Sequence, residues 1–323
     1  MCTAISYQTK NFYFGRTLDY ECTYGEKVTV VPRNFPFTFR KEGEMKRHLA
    51  MIGMAHIANG HPLFYEAVNE AGLGCAGLNF PHDAHYFPAK EGKCNLAPYE
   101  LIPYLLGNFR TLAEARPTLE RLNLIDIPFS DGYPVTPLHF LLADKTGSVV
   151  IEQTEDGLKI YDNPVGVLTN SPPFNIQLFR LNDFMALSPK SPKNEFSSAV
   201  DLRAYSRGMG AMGLPGDMSS ASRFVRAAFV RLNFRTDGSE EGSVSQFFHI
   251  LGSVAQVDGC VKVENGYEKT VYTSCCNADK GVYYYTTYYN SAVHAVDMHR
   301  VDLDASELFA YPLMEKTEIF YQN

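Results

Sequence analysis

Cys2 is the residue around which chemistry can be built. The chain opens Met1-Cys2-Thr3, and a small second residue permits removal of the initiator methionine. Cys2 would then carry a thiol and a free α-amine on one residue, a nucleophile with its own base. An α-amine titrates near ~8, so a working fraction is neutral at physiological pH and can take the thiol proton. No histidine partner is needed. On position alone, Cys2 suits the second residue of an ordinary strand just as well, so what surrounds it decides.

The following strand ends Gly15-Arg16-Thr17-Leu18-Asp19-Tyr20. A hairpin of this length brings its far end beside Cys2. Arg16 would supply a fixed positive charge that lowers a thiol pKa. Asp19 would accept from the ammonium form of the Cys2 amine and orient it. Taken alone, the two also describe a solvated ion pair at a strand end, which is worth little.

The elements that must position these residues are legible in part. Cys2 to Tyr7 alternates in polarity and reads as a strand, Asn11 to Arg16 as a second, and Val28 to Val31 as a third closed by Pro32. Runs on either side of Glu155-Asp156-Gly157 read as a hairpin, as do Thr270–Ser274 and Val282–Tyr289 around Asp279-Lys280-Gly281. Helical spacing marks Pro98–Phe109, Thr111–Leu122, Ser222–Leu232 and Val244–Val254. Thr111 and Glu114 have capping-box spacing, while Pro117 is expected to kink or restart that helix. Strand groups at both ends with helices between them imply an α+β fold. It would have two antiparallel sheets covered by helices, in a single domain over 1–323. Ser188–Ser198, rich in Ser and Pro, reads as a surface excursion.

Composition narrows the class. The 323 residues are 45% apolar and 20% charged, with a net charge of −7. That mild acidity, with scattered Lys and Arg, argues against nucleic acid as a partner. No run approaches the ~18 apolar residues of a membrane span, and no basic-then-apolar opening suggests a secretory signal. The seven cysteines are odd in number and lack C-x-x-C spacing, so a reducing cytoplasm is expected. His82, Asp83 and His85 lack a second cluster to complete a metal site. His139 and His249 stand in no papain-like context.

A wider set of motifs resembles the choloylglycine hydrolase family of bile salt hydrolases and penicillin V acylases, in particular the bile salt hydrolases of Gram-positive gut bacteria. The matching segments are Met1–Ala4, Gly15–Tyr20, Ala76-Gly77-Leu78-Asn79-Phe80-Pro81 and Val167-Leu168-Thr169-Asn170-Ser171-Pro172. They continue with Gly213–Asp217, Ser222-Arg223-Phe224-Val225-Arg226 and Phe247-Phe248-His249-Ile250-Leu251. They run in family order along essentially the whole chain. The resemblance implies a four-layer αββα sandwich of the N-terminal nucleophile hydrolase type, with Met1 removed and no cofactor or metal. It implies that Cys2 attacks an amide carbonyl. The Asn170 side-chain amide and the Asn79 backbone N–H would face the oxyanion, and Arg223 would join Arg16 beside the thiolate. One missing donor of this kind costs about 3 kcal/mol in barrier height. It also implies a bacterial cytoplasmic homo-oligomer, a tetramer, acting on conjugated bile salts.

Within the family the markers divide. Asn79 in Leu-Asn-Phe-Pro and the run Gly281–Tyr285 resemble the bile salt branch. Thr17 stands where many of those enzymes have Asn, and resembles the acylases. Tyr104 and Phe140 occupy places where relatives often have Trp. By analogy, Leu18, Phe129 and Tyr133 would contact the steroid, and Arg207 in the glycine-rich 205–210 loop would meet the substrate's sulfonate or carboxylate. Three alternatives stay open: penicillin V acylase, an acyltransferase sharing the same thioester, and a non-catalytic steroid-binding protein. The last would need no Arg16, Asp19 and Asn170 around a free thiol.

Overall fold

The computed structural model describes residues 1–323. From the N-terminus its strands are β1 (Cys2–Gln8), β2 (Phe12–Tyr20), β3 (Lys27–Val31), β4 (Met51–Ala58), β5 (His61–Asn69) and β6 (Gly74–Asn79). Helices α1 (Leu101–Asn108) and α2 (Leu112–Leu119) lead to β7 (Leu138–Asp144), β8 (Gly147–Thr154), β9 (Gly157–Asp162) and β10 (Val167–Leu168). Then come α3 (Phe174–Arg180), α4 (Ser220–Asn233) and α5 (Glu240–Gly252). The chain closes with β11 (Val261–Val263), β12 (Gly266–Asn277), β13 (Val282–Thr287), β14 (His294–Asp297) and β15 (Phe309–Pro312).

These strands form two antiparallel sheets. The seven-stranded sheet runs β10-β1-β2-β12-β13-β14, with β11 on β12. The eight-stranded sheet runs β9-β8-β7-β6-β5-β4-β3-β15. Helices α4 and α5 pack on the first sheet, against β1, β2, β10 and β12, while α1 packs on β5 and β6 of the second. The result is the αββα layering. Because both faces of the first sheet are covered, β1 and β2 are buried almost end to end, and an alternating pattern gives way to a continuous buried run. Polar residues in that run, Thr3, Ser6, Arg16, Thr17 and Asp19, are therefore buried and must find partners.

Local signals explain the element ends. Ser219 caps α4 by accepting from the Ser222 N–H, and Ser239 caps α5 by accepting from Gly242, with Glu240 and Glu241 in its first turn. Gly157, at φ +99°, closes the β8–β9 turn. Thr111 accepts from the Glu114 N–H, as the capping spacing implies, but the Glu114 carboxylate returns to the Arg110 N–H instead. Pro117 does not restart α2. The helix runs through it and ends two residues later; the Ala113 carbonyl, four residues back, loses its donor, at an exposed residue. Tyr104 packs edge-on against Phe39 at 5.2 Å, and Phe140 is fully buried between the second sheet and α1.

Candidate active site

The β1–β2 register places the chemistry. Cys2 lies opposite Leu18, Thr3 opposite Thr17 and Ala4 opposite Arg16. Opposed residues of an antiparallel pair share a face and neighbours alternate. Cys2, Leu18 and Arg16 thus face the second sheet, while Thr3, Thr17 and Asp19 face α4. Gly15 is required where β2 passes β12, because a Cβ there would stand 2.3 Å from the Ser274 carbonyl oxygen. Met1 precedes Cys2 in the structure. Its amine donates to the Asp19 carbonyl (2.5 Å) and to Glu268 Oε1 (2.8 Å).

Beneath Cys2 lies a chain of directed hydrogen bonds. The Cys2 N–H donates to Asn170 Oδ1 at 3.0 Å. Arg223, fully buried in the first turn of α4, donates through Nη2 to the same oxygen (2.7 Å) and through Nη1 to the Cys2 carbonyl (2.6 Å) and Thr3 Oγ1 (2.7 Å). With Oδ1 so engaged, the other end of the amide is fixed: Asn170 Nδ2 donates to the Asn79 carbonyl at 2.7 Å. A side-chain amide has two donor hydrogens, so one remains to face a reacting oxygen. The Asn170 backbone is anchored by its own N–H donating to Ser220 Oγ at 2.8 Å. The Asp19 carboxylate instead accepts from Thr17 Oγ1 (3.1 Å) and Thr270 Oγ1 (2.6 Å). With Met1 attached, the single N–H of Cys2 meets Asn170 Oδ1. Burial pulls the Arg223 guanidinium below the ordinary arginine range, against the Asp19 and Cys2 charges.

Arg16 is held from the opposite sheet. Its Nε donates to the Thr17 carbonyl (3.1 Å), and Nη1 donates to the carbonyls of Tyr65 (3.2 Å) and Gly77. Tyr65 is the extra residue of a bulge in β5, between the pairs Met54–Glu66 and Ala55–Phe64. The next residue, Glu66, is fully buried with Oε2 3.8 Å from Arg16 Nε. It accepts from Tyr272 Oη (2.7 Å), Ser274 Oγ (2.9 Å) and Tyr283 Oη. Burial pushes the Glu66 carboxyl up; Arg16 and the three hydroxyls pull it back. For Arg16 burial opposes the charge, but the Cys2 sulfur, Tyr272, Glu66 and Asp19 more than restore it, so the guanidinium stands above its ordinary range. Removing one member of such a pair leaves an uncompensated buried charge. Glu66→Ala is therefore expected to lower stability by about 3–5 kcal/mol in urea unfolding.

A family model described as linear amide C–N hydrolases, choloylglycine hydrolase family, matches residues 2–311. The chain belongs to that family. It is 53% identical over 324 residues to a protein named bile salt hydrolase/transferase from Lactiplantibacillus plantarum, with all of both chains covered. A solved structure of a variant of conjugated bile acid hydrolase from Clostridium perfringens matches at TM-score 0.91 and 38% identity, again covering both chains fully. Penicillin V acylase from Agrobacterium tumefaciens matches at TM-score 0.71 over 96% of this chain and 90% of that one, and at 21% identity it shares the fold. As a choloylglycine hydrolase family member the chain is a hydrolase of linear amide C–N bonds.

In this family member Cys2, Arg16, Asp19, Asn79, Asn170 and Arg223 converge at one end of the two sheets. Leu18 shares the Cys2 face. Phe129 and Tyr133 sit in the loop before β7 and pack on each other at 5.9 Å. That loop is pinned to β4 and β5: Phe129 packs on His61 at 5.3 Å, and Tyr133 Oη meets His56 Nε2 at 2.9 Å. Burial pushes His61 down to about 4, so it packs as a neutral ring. Arg207 stands apart, exposed on the long excursion before α4, and none of its contacts joins it to the Cys2 group. Sequence reasoning missed Glu66, Glu268 and Ser220. Each is a polar residue in an unremarkable run, and only the register of distant strands and the entry to α4 reveal its partners. No helix is long and apolar enough to cross a membrane.

Proposed function

We propose that the chain, once Met1 has left, hydrolyses the amide bond of glycine- or taurine-conjugated bile acids through a Cys2 thioester. The observation that carries this is the Cys2 nitrogen held on Asn170 Oδ1 at 3.0 Å, in a chain whose full-length relatives are named for bile salts. When Met1 is cleaved, that nitrogen becomes the α-amine without changing place. It takes the thiol proton, and the sulfur attacks the amide carbonyl. Asn170 Nδ2 and the Asn79 N–H receive the developing oxyanion. Collapse breaks the C–N bond, and the amine returns its proton to the departing glycine or taurine nitrogen. Water, giving its proton to the same amine, then attacks the thioester and releases the free bile acid. Arg16 and Arg223 keep positive potential on the two faces around the sulfur, and Asp19 lies on the Arg223 side.

Leu18, Phe129 and Tyr133 are proposed to contact the steroid, since they offer the apolar and aromatic wall such a ligand needs. Arg207, exposed on a glycine-rich loop, is the proposed partner for the anionic tail. The excursion also exposes Met185, Phe196 and Tyr205, which supports assembly of this single-domain chain as a homo-oligomer. Its seven free thiols suit a reducing bacterial cytoplasm. A second reading follows from the hydrolase/transferase relatives: an amine that reaches the thioester before water would be acylated. The test is amine release from taurocholate, glycocholate and penicillin V. Taurine or glycine release is expected; cleavage of penicillin V alone would move the protein to the acylase branch.

A further inference from the structure

The two proposed oxyanion donors share a support that lies outside the reach of substrate. His139 on β7 and Glu152 on β8 are 0% and 1% exposed. His139 Nε2 is 2.9 Å from the carbonyl oxygen of Thr169, the residue before Asn170. A carbonyl only accepts, so Nε2 carries the hydrogen. Nδ1 faces Glu152 Oε1 at 2.9 Å, with one proton between them. Both Glu152 oxygens accept from the Phe174 N–H at 3.1 Å. The pair thus grips the 169–174 segment at both ends, with Asn170 inside it.

The other face of the ring reaches the second donor. His139 stacks on Phe80, with centroids 4.2 Å apart and planes 8° from parallel. Phe80 follows Asn79, and its N–H donates to the Pro137 carbonyl at 2.8 Å. A buried His–Glu pair is costly compared with apolar packing. Pro172 and Pro173 supply a reason for it. They have no N–H to pair with a neighbouring strand, so side chains must hold the segment in place of a ladder.

We infer that His139 and Glu152 form a positioning unit that sets the spacing of the Asn79 N–H and Asn170 Nδ2. This rests on the reading above that those two groups are the oxyanion donors. Neither member touches substrate. Their effect falls on the transition state, where donor placement matters, and not on ground-state binding of the steroid.

The test is His139→Phe, which keeps a ring on Phe80 but removes the donor to Thr169 and the partner of Glu152. Taurocholate kcat is expected to fall by about 10- to 100-fold with KM within about 2-fold. Affinity for a bile-acid aldehyde, whose adduct with Cys2 places an oxyanion at the same point, should fall in parallel. Glu152→Gln can donate to Nδ1 and accept from Phe174, and should keep kcat within about 3-fold of the parent. Phe80→Leu removes only the stack. Its expected loss is about 5-fold in kcat at unchanged KM, and it supplies the same readout if His139→Phe does not fold. Unchanged kcat in His139→Phe, or in Phe80→Leu where that variant stands in, overturns the inference, provided Asn170→Ala loses kcat. So does a loss with unchanged aldehyde affinity. If Asn170→Ala itself keeps its kcat, the oxyanion reading beneath the inference fails instead.

Discussion

Cys2→Ser is expected to fold like the parent and to lose at least about 10³-fold in taurocholate turnover. The exchange replaces one sulfur by one oxygen at a buried position opposite Leu18, so the hairpin and its bonds to Asn170 and Arg223 are kept. The chemistry changes far more. An α-amine of pKa ~8 can deprotonate a thiol, but a hydroxyl is a far weaker acid than a thiol and gives up its proton much less readily. Thermal melting against amine release separates the two effects. An unaltered melting temperature with turnover abolished is the expected result, and parental activity in the serine variant would contradict the mechanism.

Asn170→Ala carries the second largest effect. One side chain here does two jobs: Oδ1 holds the Cys2 nitrogen and an Arg223 donor, while Nδ2 points the other way, at the Asn79 carbonyl. Losing the donor should reduce kcat by about 10²–10³-fold with a much smaller change in KM. Arg223 Nη2 is left buried without that partner, so stability should also fall by about 1–3 kcal/mol. Asn170→Asp separates the two. It keeps an acceptor for Arg223 and the Cys2 nitrogen, but turns an oxygen toward the oxyanion. It should recover the part of the stability loss that comes from Arg223, but not the bond to the Asn79 carbonyl, and lose turnover at least as severely. Urea unfolding alongside steady-state kinetics reads both quantities.

What was legible beforehand follows from where the information lies. The β1–β2 hairpin could be read because its pairing is local, and it carries Cys2, Arg16, Leu18 and Asp19 together. Helices α4 and α5 could be read because amphipathic spacing is local too, although both begin earlier than Ser222 and Val244, at the caps Ser219 and Ser239. The αββα layering and the convergence of Asn79, Asn170 and Arg223 came through the resemblance, since each sits on a different element. Glu66 was not legible. Its partners Tyr272, Ser274 and Tyr283 are over two hundred residues away, and only the register of β12 on β2, with its bulge between Thr270 and Tyr272, and of β13 on β12 turns them toward it. The other partners of the Asp19 carboxylate were hidden for a related reason. The hairpin sets its place beside Cys2, but Thr270, which donates to it, comes from the same distant strand.

The central claim is a covalent one, that a free N-terminal Cys2 carries the acyl group. Intact mass after rapid acid quench of the purified chain with excess taurocholate tests it most directly. The account predicts a chain lacking Met1 that carries one cholyl group during turnover, with the adduct on the N-terminal peptide and absent in Cys2→Ser. Taurine release from a chain that retains Met1, or from one whose N-terminal peptide never gains mass, would contradict it.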